Sequence, residues 1–305
     1  MLRTILYEKE EKREMSIGIY GVSAALVTPF DLGGEVDVKL MLQHAKMLLS
    51  NGCSGLCLFG TTGEGPSLSQ DDRAKSISTL IDGGVDAKQL TIGVVQNSAA
   101  VALEQIRAAI DLGCSTFLLA PPHYFGGIPD EGFHLWFRAV LSPLAGQNLR
   151  IILYHIPQLT GAMITPALAE QLHNEFPELV YGIKDSCGDW EQAEAFLNLK
   201  DRLAILIGDE RFLAKAVRLG SEGCISGLAN VKSQELADLV NTGKDNKKIS
   251  DIVDTIVSMP VTPAVKALCA HHYQDNHWKS VRAPLLPLDK ENEQILIGQY
   301  KAIFG

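Results

Sequence analysis

Eight short runs of β-branched or apolar residues recur along this chain, with helical segments between them, and this alternation constrains the fold more than any other feature. The runs are Val22–Val27, Gly55–Phe59, Leu90–Val95, Thr116–Leu119, Ile151–Tyr154, Val180–Lys184, Ala204–Ile207 and Gly223–Ser226. The intervening stretches place apolar residues at helical spacing, as in Leu40, Leu42, Ala45, Leu48, Leu49 and again in Leu103, Ile106, Ala109, Ile110. Strand and helix in strict alternation build a parallel sheet wound with helices, and eight such units suffice to close a (β/α)8 TIM barrel. A chain of 305 residues, 46% of them apolar, accommodates the roughly 250 residues that such a barrel takes as one domain. An open, doubly wound sheet is the competing architecture.

Local signals agree with helices at these places. Ser69-Gln70-Asp71-Asp72 puts acids in a first helical turn, Thr165-Pro166 puts proline at a first helical position, and glycine follows helical runs at Asn51-Gly52, Leu112-Gly113 and Leu219-Gly220. No strand pattern follows Val231. The remaining residues read as helices with breaks at Pro260, Pro263, Pro284 and Pro287. The expected organisation is an N-terminal extension over 1–16, a barrel over 17–231 and a C-terminal helical region over 232–305.

Charge and composition exclude several function classes. A net charge of −9 without a long Lys/Arg run repels a phosphate backbone, so nucleic acid is not an expected partner. The longest apolar stretches, such as Ile151-Ile152-Leu153-Tyr154, fall far short of the roughly 18–20 residues that a membrane span needs. The six cysteines form no C-x-x-C pair and lie in hydrophobic segments, as free thiols of a reduced, cytoplasmic protein do. The run Glu8-Lys9-Glu10-Glu11-Lys12-Arg13-Glu14 is too charged for the core of a secretory signal, and Met15 is an alternative start.

In a (β/α)8 barrel the active site lies at the C-terminal ends of the strands, so polar residues that terminate apolar strands carry information. Three strand ends do so: the second runs into Gly60-Thr61-Thr62-Gly63-Glu64-Gly65, the fifth ends in Tyr154 and the sixth in Lys184. A lysine at the barrel mouth suits imine formation with a ketone, since the nucleophile is the neutral amine and burial disfavours the ammonium. A structural lysine paired with Asp185 or Asp189 is the competing reading. The Tyr154 phenol is suited to passing protons to and from a carbinolamine hydroxyl, against the alternative of a tyrosine that merely caps the core. Strand alternation turns His155 to the opposite side. The glycine-rich loop offers backbone N–H groups and two hydroxyls to an anion, although it is also an ordinary βα turn. It lacks the lysine of a P-loop, and Glu64 there favours a singly charged carboxylate over a phosphate. His271, His272 and His277 lack the spacing of a zinc site, and no G-x-G-x-x-G follows the first strand, so no metal or dinucleotide is expected.

Together these segments resemble the dihydrodipicolinate synthase/N-acetylneuraminate lyase family of Schiff-base aldolases. The likeness runs from Gly18 nearly to the C-terminus, through Leu26-Val27-Thr28-Pro29-Phe30, Gly60-Thr61-Thr62-Gly63-Glu64, Tyr154-His155-Ile156-Pro157, Gly182-Ile183-Lys184-Asp185 and Gly208-Asp209. The resemblance implies that Lys184 forms the imine and Tyr154 shuttles protons. It also implies that Thr61 and Thr62 hold a pyruvate carboxylate and relay protons. Gly63, Leu159, Ser226 and Gly227 are expected at the substrate site. It further implies a homotetramer of tight dimers, no cofactor, and small 2-oxo acids and aldehydes as substrates.

Two departures stand out. The segment after strand four reads Ala120-Pro121-Pro122-His123-Tyr124-Phe125 where relatives carry a P-Y-Y-like segment, leaving His123 or Tyr124 as the inter-subunit relay. Where the synthases carry Y-x-x-P-x-R-T-G, with an arginine for the second substrate's carboxylate, this chain has Leu159. Gly63-Glu64-Gly65-Pro66-Ser67-Leu68-Ser69 and Ala283-Pro284-Leu285-Leu286-Pro287-Leu288 look more like 2-keto-3-deoxy-sugar-acid aldolases, which favours a lyase of that type. The lysine-pathway synthase and a dehydratase using the same imine are the enzymatic alternatives. A catalytically silent 2-oxo acid sensor is the non-enzymatic one, and it has no need of a nucleophilic amine.

Overall fold

All eight apolar runs become strands, and the strands close in sequence order into one parallel barrel, β1 pairing with both β2 and β8. The computed structural model describes residues 20–305, so the segment 1–16 and the choice between Met1 and Met15 lie outside the described residues. The strands are β1 Gly21–Ala25, β2 Gly55–Leu58, β3 Leu90–Val94, β4 Thr116–Leu119, β5 Arg150–His155, β6 Val180–Asp185, β7 Ala204–Ile207 and β8 Gly223–Ser226. Each is followed by its helix: α1 Val38–Ser50, α2 Gln70–Asp82, α3 Ala99–Asp111, α4 Asp130–Leu141, α5 Pro166–Glu175, α6 Trp190–Leu197, α7 Glu210–Arg218 and α8 Ala229–Thr242. The expected first strand is displaced. Leu26 and Val27 are buried and apolar but lie beyond the strand: the Leu26 N–H still donates to the Cys57 carbonyl at 2.9 Å, whereas the Val27 N–H donates to Asn230 Oδ1 at 3.2 Å.

Alternation along the strands divides the apolar residues between two cores. Ala25, Cys57, Leu118, Ile152, Leu206 and Ile225 fill the barrel interior beneath Tyr154. Ile151, Leu153, Ile183 and Ile205 point outward into the second core, which Leu48, Ile77, Ile106 and Phe196 of the surrounding helices share. The helix boundaries follow from their caps. Ser69 and Asp72 form a reciprocal capping box on α2, and the Thr165 hydroxyl accepts from the Leu168 N–H ahead of Pro166 in α5. Gly52, Gly113 and Gly220 all take positive φ just past a helix, which an L side chain resists.

The C-terminal region adds α9 Lys247–Val257, α10 Val261–Tyr273 and α11 Lys290–Phe304. Pro263 does not break this region as expected. It sits in the first turn of α10, where its missing N–H has no intrahelical partner to lose. Among the described residues no helix is long and apolar enough to cross a membrane. All six cysteines are free, five of them buried.

Candidate active site

The β5–β6 register sets Tyr154 directly beside Lys184. Both side chains point into the barrel at its C-terminal end. Only 2% of Tyr154 and 5% of Lys184 remain exposed. The Lys184 amine donates to Tyr154 Oη at 3.4 Å and lies 4.4 Å from the centre of the ring, and Tyr154 Oη in turn pairs with Thr61 Oγ1 at 3.1 Å. The two carboxylates nearest in sequence are engaged elsewhere. Asp185 accepts from the backbone N–H and thiol of Cys187, and Asp189 caps α6 through Glu191 and Gln192. A structural lysine satisfied by either aspartate is therefore not what the fold contains.

Above this amine opens a cavity of about 770 Å³, within the range of small-molecule sites. Thr61 and Thr62 reach it from the loop after β2. Within that loop the N–H groups of Glu64 and Gly65 close turns onto Thr61 and Gly60, whereas those of Thr61, Thr62 and Gly63 donate to no other described residue. Three successive free donors beside two hydroxyls suit a carboxylate. The glycines serve close approach: a Cβ on Gly65 would meet the Phe59 carbonyl oxygen at 1.8 Å, and one on Gly63 the Leu26 oxygen at 2.8 Å. The expectation that Glu64 disfavours a phosphate rested on a free carboxylate, and Glu64 is not free. Glu64 lines the cavity, but its buried carboxylate pairs with Lys266 Nζ at 2.5 Å and also accepts the Arg282 N–H, so its charge is matched within the protein.

The other expected residues divide. Leu159, His123 and Gly227 line the cavity, and Leu159 is 63% exposed at its rim. Ser226 and Gly63 are not among the lining residues. The Ser226 hydroxyl is buried and donates to Glu210, whose carboxyl is pushed upward in pKa by burial, and the Gly63 carbonyl accepts from Thr28 Oγ1 at 2.7 Å. Tyr124 is 80% exposed and packs edge-on against the equally outlying Phe125. His155 lies outside the barrel, as alternation requires. It approaches Asp185 and Cys187 closely enough to suggest a metal site. Both its nitrogens are committed, however: Nδ1 accepts the Ile164 N–H at 3.1 Å and Nε2 pairs with Gln192 at 3.0 Å. The tail histidines do not converge. His271 packs on Tyr300, His272 on Tyr273, and His277 pairs with Asp275.

Several lining residues were given no role from the sequence. Ser186 follows β6 with a buried hydroxyl that has no partner, and Asp209 follows β7. The same strand-end rule that selected Lys184 points to both. Arg211 is held in a fork by Asp209, with contacts at 2.9 and 2.6 Å, and by Asp254 at 2.9 Å; its pKa is raised above the ordinary guanidinium value chiefly by the hydrogen bonds it donates to Asp209. The C-terminal region supplies an apolar wall from Val253, Ile256, Met259 and Val265, which no strand-end signal marks.

A lysine, tyrosine and threonine meeting at the mouth of a closed (β/α)8 barrel belong with the aldolase-type barrel lyases. The comparisons give the family. Residues 19–302 match the model of the dihydrodipicolinate synthetase family, and the chain belongs to it. A DapA-like lyase of Chloroflexus aurantiacus is 31% identical over 93% of this chain and 97% of that protein. A 4-hydroxy-tetrahydrodipicolinate synthase of Synechococcus sp. is 34% identical over 72% of this chain and 71% of its own. The crystal structure of dihydrodipicolinate synthase from Agrobacterium tumefaciens superposes with a TM-score of 0.91 at 42% identity, over 94% of this chain and all of that one.

Proposed function

We propose that the enzyme is a lyase acting through a Lys184 imine on pyruvate-derived 2-oxo acids, of the 2-keto-3-deoxy-sugar-acid aldolase type. The observation that carries this reading is the contact chain from the Lys184 amine through Tyr154 Oη to Thr61 Oγ1 at the base of a large cavity. The amine adds to the ketone carbon, and the carbinolamine hydroxyl leaves as water with a proton from Tyr154. The Tyr154 phenolate left by that step takes up a methyl proton to give the enamine, whose carbon attacks the aldehyde. Tyr154 protonates the new alkoxide and hydrolysis frees Lys184; cleavage runs these steps backwards. Thr61 and Thr62, which line the cavity, hold the carboxylate. None of these steps calls on a metal or an organic cofactor.

Leu159 supports an aldehyde partner without a distal carboxylate, because its side chain offers a carboxylate neither charge nor donor. The lysine-pathway synthase is the second reading, favoured by the names of the Synechococcus and Agrobacterium proteins. Oligomerisation as a dimer of dimers fits the exposed Tyr124–Phe125 pair, with Tyr124 or His123 relaying protons between subunits. The free thiols fit a cytoplasmic location. A lyase screen over 2-keto-3-deoxy-gluconate, its stereoisomers, N-acetylneuraminate and 4-hydroxy-2-oxoglutarate, read by pyruvate release, tests the substrate class. Release from a keto-deoxy-sugar acid supports it. Turnover confined to pyruvate and aspartate semialdehyde overturns it in favour of the synthase.

A further inference from the structure

The loop that carries Thr61 and Thr62 adopts a conformation its own sequence does not favour. Phe59 and Glu64 both take positive φ, at 59° and 55°, although neither is glycine. Something outside the loop must hold it. The Glu64 side chain is buried, and its ion pair with Lys266 is wholly excluded from solvent on both sides. Lys266 lies on α10, in the C-terminal region. Its ammonium also donates to the Thr28 carbonyl at 2.8 Å and sits 4.4 Å from the centre of the Phe30 ring. Thr28 in turn donates through its hydroxyl to the Gly63 carbonyl, and Thr262, one turn before Lys266, donates to the Thr61 carbonyl at 3.2 Å. Each backbone bond fixes a residue next to a free N–H or a hydroxyl of the proposed carboxylate cradle.

We propose that Lys266 and Thr262 are positioning residues: α10 clamps the Thr61–Thr62 loop through Glu64 and the Thr61 carbonyl, so the C-terminal region sets the geometry of carboxylate binding at the barrel mouth. This rests on the imine reading above, in which that loop holds the carboxylate. A buried ion pair with a purely structural role lowers stability when broken but leaves the folded site unchanged. A positioning role also changes how the folded enzyme takes up pyruvate, because displacements of about 1 Å weaken catalysis by orders of magnitude.

The test is borohydride trapping of pyruvate on Lys184, measured against pyruvate concentration in the full chain by intact mass, with thermal unfolding in parallel. Lys266→Met leaves the buried Glu64 without its ion-pair partner. Half-saturating pyruvate is expected to rise about tenfold or more, while trapping at saturation persists. Glu64→Gln combined with Lys266→Met removes that partnerless carboxyl and is expected to recover part of the loss. Thr262→Val, which deletes one hydroxyl, keeps the question open to refutation if Lys266→Met fails to fold, with an expected rise of about threefold. A lower unfolding temperature with wild-type half-saturation in the folded variants makes the clamp merely structural and overturns the inference alone. A wild-type enzyme that is never trapped overturns the imine reading and this inference with it.

Discussion

Replacing Leu159 by arginine tests whether the rim of the cavity selects the second substrate. Besides Lys184, the cation lining the cavity is Arg211, and Asp209 and Asp254 already occupy it at 2.6 to 2.9 Å. That cluster carries one net negative charge, so it offers no free cation to an incoming carboxylate. Leu159, also in the cavity lining, offers no donor. A charge-assisted hydrogen bond is worth about 1.5–3 kcal/mol, or roughly 10–150-fold in specificity. Leu159 is 63% exposed, and solvent screening there puts the effect at the low end. For the wild-type enzyme, kcat/KM for condensing pyruvate with glyceraldehyde or a longer sugar aldehyde should exceed that for aspartate semialdehyde by at least about tenfold. Leu159→Arg should shift this ratio about tenfold toward the semialdehyde. The assay is the ratio of the two kcat/KM values in one preparation, in which any fault in folding or enamine formation cancels. Efficient use of the semialdehyde by wild type, with no turnover of hydroxyaldehydes, refutes the reasoning, as does a ratio that Leu159→Arg leaves unmoved.

Tyr154→Phe keeps the buried ring but removes the hydroxyl shared by Lys184 and Thr61. Turnover should fall about 100-fold or more, while stability changes by about 1 kcal/mol; unchanged kcat returns Tyr154 to a packing role. His44 is buried among Asn230, Tyr273 and Trp278, and burial pushes its pKa down to about 4 from the ordinary 6.5. Between those values the unfolded chain binds the extra proton, so stability present above about pH 6.5 should be lost as pH falls, by about 3 kcal/mol near pH 4. Denaturant unfolding of wild type and His44→Gln at pH 7 and 4.5 checks this, and an equal acid loss in both contradicts it.

The barrel was legible because strand and helix signals recur eight times and each repeat is local. Lys184 and Tyr154 were legible for the same reason, since each ends an apolar strand. Strand pairing across the barrel, which puts Tyr154 against Lys184, follows once the barrel is granted. The first strand was misplaced because Leu26 and Val27 are as apolar as the strand itself, and only the side chain of Asn230, far along the chain, shows where the ladder stops. Pro263 misled because its cost depends on its position within a helix whose start carries no Ser, Thr, Asp or Asn cap. The ion pair of Glu64 was not legible because its partner Lys266 lies 202 residues away, a separation that no local pattern spans. The apolar wall from α9 and α10 escaped for a related reason: those residues obey the periodicity of ordinary amphipathic helices, and only tertiary packing brings them to the cavity.

The central claim is that the Lys184 amine is the nucleophile. Borohydride added to the folded enzyme with pyruvate, followed by peptide mass analysis, tests it most directly. The account predicts one reduced pyruvate adduct on Lys184, and loss of both adduct and turnover in Lys184→Ala. Unmodified Lys184 in folded, pyruvate-treated enzyme, or an adduct on another lysine with turnover retained in Lys184→Ala, contradicts it.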